Sequence, residues 1–196
     1  MGHSTAAESA LAPVTCDVLV VGGGPAGSTI SALLAEQGWT VHILEKDSHP
    51  RFHIGESLLP QSLPVLKRLG VLPEVEKIGI IKYGAEMISH RYGRSQMFYF
   101  AKAFDESQPY AFEVKRSEFD TILLKNAIAK GTTVHEGVKA LRVEFRPGQS
   151  SLVHTDNREG RPRVWEAKFV VDASGRDTFL SNQLGGKRRS QQHSSA

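Results

Sequence analysis

The chain has 196 residues, 40% of them hydrophobic and 23% charged, with a formal net charge of +3. That balance excludes disordered and collagen-like classes and allows a domain with a real core. The Lys and Arg surplus is scattered except at Lys187-Arg188-Arg189, which reads as a solvated tail. No basic stripe for nucleic acid is present, and no apolar run approaches the roughly 20 residues of a membrane span.

Residues 1–15 read as a loose leader, rich in Ser and Ala and without the basic start and apolar core of a signal peptide. Cys16–Val21 (CDVLVV) is a short β-branched run, read as a buried parallel strand. The lone cysteine, Cys16, excludes an internal disulfide, reads as a small buried hydrophobe and fits a reducing, cytoplasmic compartment. Pro25–Gln37 has helical spacing at Ile30, Leu33 and Leu34, with Gly38 as its stop. Trp39–Leu44 is a second strand, closed by Glu45.

A polar loop, Lys46–His53, leads to Gly55-Glu56-Ser57. There Ser57 is placed to cap a helix carrying Leu58, Leu59, Leu63, Leu66 and Leu69. Pro64 predicts a kink or a second start, and a short helix is expected at Pro73–Ile78. Tyr83–Phe104 alternates around the Tyr92-Gly93-Arg94-Ser95 turn and predicts an antiparallel hairpin. Phe98-Tyr99-Phe100 reads as a buried sheet face or a substrate pocket wall. Ser117–Lys130 is an amphipathic helix with Ser117 as N-cap and Gly131 as stop. Thr132–His135, Val138–Phe145, Ser151–His154 and Arg163–Val171 read as strands, and Ser181–Leu184 as a turn of helix. The whole predicts an α/β fold: a Rossmann-like βαβ sheet with inserted antiparallel strands.

Gly22-Gly23-Gly24-Pro25-Ala26-Gly27 fits G-x-G-x-x-G between a strand and a helix. Gly22 permits the tight turn, Gly24 the close approach of a pyrophosphate, and Gly27 close helix–strand packing. Pro25 and Ala26 then open a helix whose N-terminus favours an anion. Glu45, about 18 positions past Gly27, stands near the spacing of a ribose-binding acid, and its charge argues against a 2′-phosphate there. His49 and His53 are four apart, but in a polar loop with Pro50 and with no third His or Cys at ligand spacing, so no metal site is expected, and His42, His53 and His135 read as packing or surface residues. There is no G-x-S-x-G elbow.

Val20–Ser28 with Leu44-Glu45-Lys46 resembles the N-terminus of FAD enzymes of the p-hydroxybenzoate hydroxylase-like fold. Arg51-Phe52-His53-Ile54-Gly55-Glu56-Ser57-Leu58-Leu59-Pro60 resembles the G-E-S-x-x-P loop of flavin-dependent halogenases acting on phenolic or carrier-bound pyrrolic substrates. The resemblance covers roughly residues 15–190. It implies FAD as cofactor, bound by Gly22, Gly24, Pro25, Ala26, Gly27, Glu45, Lys46, Arg51 and Gly55. Glu56, Ser57 and Lys82 are the implied catalytic residues. In that family the segment of Glu56 and Ser57 runs beside the isoalloxazine, and the lysine at the place of Lys82 captures oxidised halide. A helix cap for Ser57 and a surface strand lysine for Lys82 are the plainer alternatives. Arg116, in Arg116-Ser117-Glu118-Phe119-Asp120, is implied at the pyrophosphate or adenosine, with Asp120 supporting the helix N-terminus. Asp172, in Asp172-Ala173-Ser174-Gly175, is implied at the border of the cofactor, with a strand-ending turn as the alternative.

The family's later G-D-A and W-x-W-x-I-P segments are not in the chain, whose only tryptophans are Trp39 and Trp165. The sequence is therefore expected to be an incomplete member: leader 1–15, FAD-binding domain with a partial substrate layer 16–186, and basic, polar tail 187–196. The expected function is that of an FAD-dependent oxidoreductase, halogenase-like or monooxygenase-like, using reduced flavin and O2 on a small aromatic or carrier-protein-bound substrate. A flavin reductase is a candidate partner. A geranylgeranyl-reductase-like flavoprotein and a non-catalytic flavin-binding fragment are the alternatives.

Overall fold

Residues 12–104 and 106–186 are described in the computed structural model; the tail at 187–196, its Lys187-Arg188-Arg189 run and most of the leader lie outside them. β1 (Val14–Val21), α1 (Pro25–Glu36) and β2 (Val41–Glu45) form the expected strand–turn–helix–strand unit. β1 begins two residues before Cys16. Asp17 and Val18 both donate their N–H to Thr40 O at 3.1 Å, and the strand's alternation shifts there while its register with β10 stays unbroken. As a result Cys16 and Leu19 share one face, and Val18 and Val20 the other.

Further along come α2 (Ser62–Leu69), α3 (Leu72–Ile78), β3 (Ile80–Lys82), β4 (Gly84–Ser89), β5 (Arg94–Tyr99), β6 (Ala111–Glu113) and α4 (Arg116–Ala129). β7 (Thr133–Glu136), β8 (Val138–Glu144), β9 (Ser151–Asn157), β10 (Pro162–Asp172) and α5 (Phe179–Gln183) complete the described chain. The main sheet has the order β7-β2-β1-β10-β9-β8. β10 joins its two halves: it runs parallel to β1 from Trp165 to Asp172 and antiparallel to β9 over Pro162–Ala167. Its buried residues are Trp165 and Ala167, where β1 and β9 flank it on both edges, whereas Lys168 and Phe169 beyond the end of β9 are exposed. Helices α1, α2, α3 and α4 cover one face through Val18, Val20, Ile43, Leu66, Phe112 and Leu123. Leu19, Leu44, Val143, Val153 and Trp165 fill the other core.

Four expectations change. Ser57 does not cap a helix: it bridges Glu113 in extended conformation, Leu58 N–H donates to Phe112 O and Val114 N–H to Glu56 O, both at 2.9 Å. The segment therefore joins β6, and β3 pairs with the other edge of β6, two strands that sequence patterning missed. α2 starts at Ser62, which puts Pro64 in the first turn, where its missing N–H breaks no helical bond. Ser117 is not the N-cap of α4; Lys115 is, and Ser117 O accepts the Thr121 hydroxyl at 2.7 Å. The β4–β5 hairpin is a separate two-stranded ribbon, and Phe98 and Tyr99 are 51% and 55% exposed, so they are not a buried face.

Candidate functional site

The carboxyl ends of β1, β2 and β10 open onto a cleft of about 1240 Å³, where ligands of open α/β sheets bind. Gly22, at φ +106°, makes the turn, and a Cβ there would lie 2.5 Å from Ala173 O, so the chain leaving β10 rests directly on the glycine loop. A Cβ on Gly27 would lie 1.9 Å from Gly22 O, which fixes how closely α1 approaches the loop. Gly24 differs: its nearest such contact is Arg51 Nη2 at 3.8 Å, so its backbone stays accessible from the cleft. No side chain caps α1, whose first turn (Pro25, Ala26) lines the cleft. Its amide donors and positive dipole end are therefore presented to an anion.

Glu45 ends β2 with 2% exposure and lines the same cleft. Its Oε2 accepts the Gly23 N–H at 2.7 Å and its Oε1 the Asp47 N–H at 2.8 Å. This loop-ordering role was not legible from spacing. A carboxylate has about four lone-pair sites, so acceptor capacity remains for a sugar's hydroxyls. Arg51 Nη2 lies 3.4 Å from Glu45 Oε2, and its buried Nε has no hydrogen-bond partner among the described residues. Lys46 pairs with Asp177 across the cleft mouth, which raises the Lys46 pKa through that hydrogen bond. Lys46, Arg51, Arg116, Lys139 and Arg176 line the cleft against two carboxylates, Glu45 and Asp177, a surplus of positive charge suited to a diphosphate. Val138, Ala140, Leu141 and Phe179 supply an apolar wall.

Arg116 also lines the cleft, but most of its donors are engaged. Nε and Nη2 hold Asp120 at 2.7 and 3.0 Å, and Nη1 donates to Ile54 O and Gly55 O. Asp120 is fully buried in that pair, which displaces its expected role at the helix N-terminus. Asp172 is exposed and not part of the cleft wall. It accepts from Ser174 N–H, Ser174 Oγ and Leu180 N–H, so it shapes the turn that carries Ala173 to Asp177 past the glycine loop.

Gly55, Glu56, Ser57 and Lys82 lie outside the cleft wall, whereas His53 and Ile54 belong to it. Glu56 Oε2 accepts the Gly55 N–H at 3.0 Å, and this bond, with the Arg116 charge, lowers the Glu56 pKa. The three expected catalytic residues share one small sheet: 56–58, β6 and β3 run side by side. Ser57 is opposite Glu113, and Glu113 opposite Ile80, so alternation puts Ser57 and Lys82 on the face away from buried Phe112 and Val114. The two outer strands stand about 10 Å apart, two strand spacings.

Residues 15–196 match the family described as FAD binding domain, and the chain belongs to that family. Its cofactor is FAD. The chain is similar to the 1H-pyrrole-2-carbonyl-(peptidyl-carrier protein) chlorinase of Pseudomonas fluorescens, 36% identical over 186 residues, which are 86% of this chain and 41% of that protein. It is similar in structure to the myxobacterial chondrochloren halogenase CndH, with TM-score 0.76 and 35% identity over 83% of this chain and 38% of that one. A flavoprotein/dehydrogenase from Cytophaga hutchinsonii superposes with TM-score 0.81 at 33% identity, over 89% of this chain and 43% of that one. The chain spans 34% and 41% of the length of the first curated relatives it matches. The fold is the p-hydroxybenzoate hydroxylase-like one shared by FAD halogenases and monooxygenases. The site fits that cofactor: the accessible Gly24 backbone, the uncapped start of α1, the unpartnered Arg51 Nε and the basic lining all suit its diphosphate.

Proposed function

We propose that this chain is the FAD-binding part of a flavin-dependent halogenase acting on an electron-rich phenol or a carrier-bound pyrrole. The observation that carries the reading is that 56–58 and Lys82, far apart in sequence, join one small sheet next to the loop that walls the cleft. Glu45 binds the adenosine ribose, the start of α1 and Arg51 the diphosphate, and Val138 to Leu141 pack against the adenine. Reduced FAD with O2 supplies the oxidising power when bound. Lys82 then holds the oxidised halogen by hydrogen bonding from its ammonium and directs it to the substrate ring. Glu56 fixes the Gly55 turn, and Ser57 offers a hydroxyl on the same face as Lys82. The pyrrolyl carrier-protein substrate named for one relative supports the substrate class. A reductase delivering reduced flavin is the partner this chemistry requires.

The test supplies the protein with FAD, a flavin reductase, NADH, O2 and bromide, and follows a phenol and a pyrrolyl thioester by mass spectrometry. Bromide-dependent halogen incorporation, lost in Lys82→Ala while FAD stays bound, is the expected result. Halide-independent gain of one oxygen would assign hydroxylation instead. Reduction of a double bond would assign the reductase reading, and bound FAD without any product would leave a binding module.

A further inference from the structure

We propose that Asp120 is a positioning residue for the cofactor-side loop and acts on it through Arg116. The inference rests on the FAD assignment alone and holds whether or not the protein halogenates. A fully buried carboxylate is costly unless it is paired, and both Asp120 oxygens accept from one guanidinium, Nε at 2.7 Å and Nη2 at 3.0 Å. On an exposed helix such a pair supports only the helix itself. Here the planar fork has a third nitrogen, and once two are fixed the place of Nη1 is fixed as well. Nη1 points to the loop 62 positions earlier and donates to Ile54 O at 3.1 Å and Gly55 O at 3.4 Å.

Those carbonyls belong to the join between cleft and small sheet. Ile54 lines the cleft, and Glu56 and Leu58 are bonded to β6 just beyond. Gly55 has φ +113°, and a Cβ there would lie 3.1 Å from Nη1, so loop and fork are fitted to each other. Arg116 has five N–H donors. Nε, Nη2 and the two Nη1 contacts account for four, which makes it a tether before it is an anion ligand. A buried acid on α4 thus sets the height of Gly55-Glu56-Ser57 above the cleft.

Asp120→Asn and Arg116→Lys are compared with the unaltered chain by amide hydrogen exchange without cofactor, by FAD titration, and by visible circular dichroism of the bound flavin. In Asp120→Asn, exchange at Leu58 and Val114 is expected to speed up at least about tenfold while Val20 holds. FAD binds about tenfold more weakly, and the flavin dichroism changes. Arg116→Lys moves the same way, because an ammonium keeps the charge and loses the fork; it decides the matter if Asp120→Asn does not fold. Unchanged loop exchange with equal or tighter FAD binding would overturn the proposal, since a released Arg116 would then be serving the diphosphate. Equal acceleration at Val20 and Val114 would overturn it too, leaving Asp120 a general stabiliser. Failure of the unaltered chain to bind FAD would sink the cofactor reading instead, and the cofactor-free exchange still reads the tether.

Discussion

The glycine loop and the β4–β5 ribbon are built on opposite terms. Around the loop, Leu19, Val20 and Ile43 are wholly buried, both faces of the sheet are covered, and the turn is locked by Ala173 O and Glu45. On the ribbon, Met87, Ile88, Phe98 and Tyr99 are each more than half exposed, and among the described residues β4 pairs only with β5. A two-stranded ribbon is marginal by itself, whereas a doubly covered parallel sheet holds its own shape. The nucleotide half of the site is therefore pre-formed by this chain's own contacts. The Lys82 side, next to the ribbon, is held by short strands only.

The largest way to break that contrast is Gly27→Ala. The added carbon meets backbone at 1.9 Å, and backbone cannot step aside as a side chain does. Folding stability is expected to fall by at least about 3 kcal/mol, the upper part of the overpacking range, with FAD affinity falling alongside. Urea unfolding and FAD titration measure both. A variant as stable and as tight-binding as the parent would mean that α1 does not sit where the structure puts it.

A middle-sized effect comes from the far end of the same sheet. His42 Nδ1 and His135 Nε2 are 2.9 Å apart. Ring centroids 5.2 Å apart and an interplanar angle of 5° put the two imidazoles side by side in nearly one plane, the geometry of an N–H···N bond between neutral rings. Trp165 packs against His135 in an edge-type arrangement, ring centroids 4.6 Å apart and planes at 64°. Burial lowers both His pKa values below the ordinary 6.5. The folded form thus binds fewer protons than the unfolded one in acid. The stabilisation is complete above about pH 6.5 and is lost as pH falls through the lowered folded values. The urea midpoint should drop between about pH 7 and pH 5, and His135→Gln should flatten that drop. An identical pH dependence in the variant would remove the pair from this role.

The smallest effect belongs to the ribbon. Phe98→Ser removes an exposed ring, so stability should change by no more than about 0.5 kcal/mol. A loss several times larger in the melting of the isolated chain would show that the ribbon is packed in solution and erase the contrast.

The strand, glycine turn, helix, second strand and closing acid were legible because their causes are local. Glycine sterics at Gly22 and Gly27 act between atoms a few residues apart, and the apolar runs of β1 and β2 record burial on both faces. The family resemblance carried the cofactor as well. What patterning misread depends on partners that the local sequence does not contain. Ser57 has the chemistry of a helix cap and became a strand residue because β6, 56 positions later, offered its free edge. Arg116 lines the cleft as the resemblance implies, while the bonds it makes to Asp120, Ile54 and Gly55 could not be read from the sequence around it.

The sequence by itself determined that this protein has the βαβ unit of an FAD-binding family, with Gly22, Gly24 and Glu45 together at the carboxyl ends of its strands. Only the tertiary structure decided the clustering of Cys16 with Leu19, the pairing of His42 with His135, and the sheet uniting Ser57 with Lys82. The physical reason is range: turn and helix preferences are set within a few bonds, whereas the fate of a buried donor or charge is settled by whatever distant group packs against it.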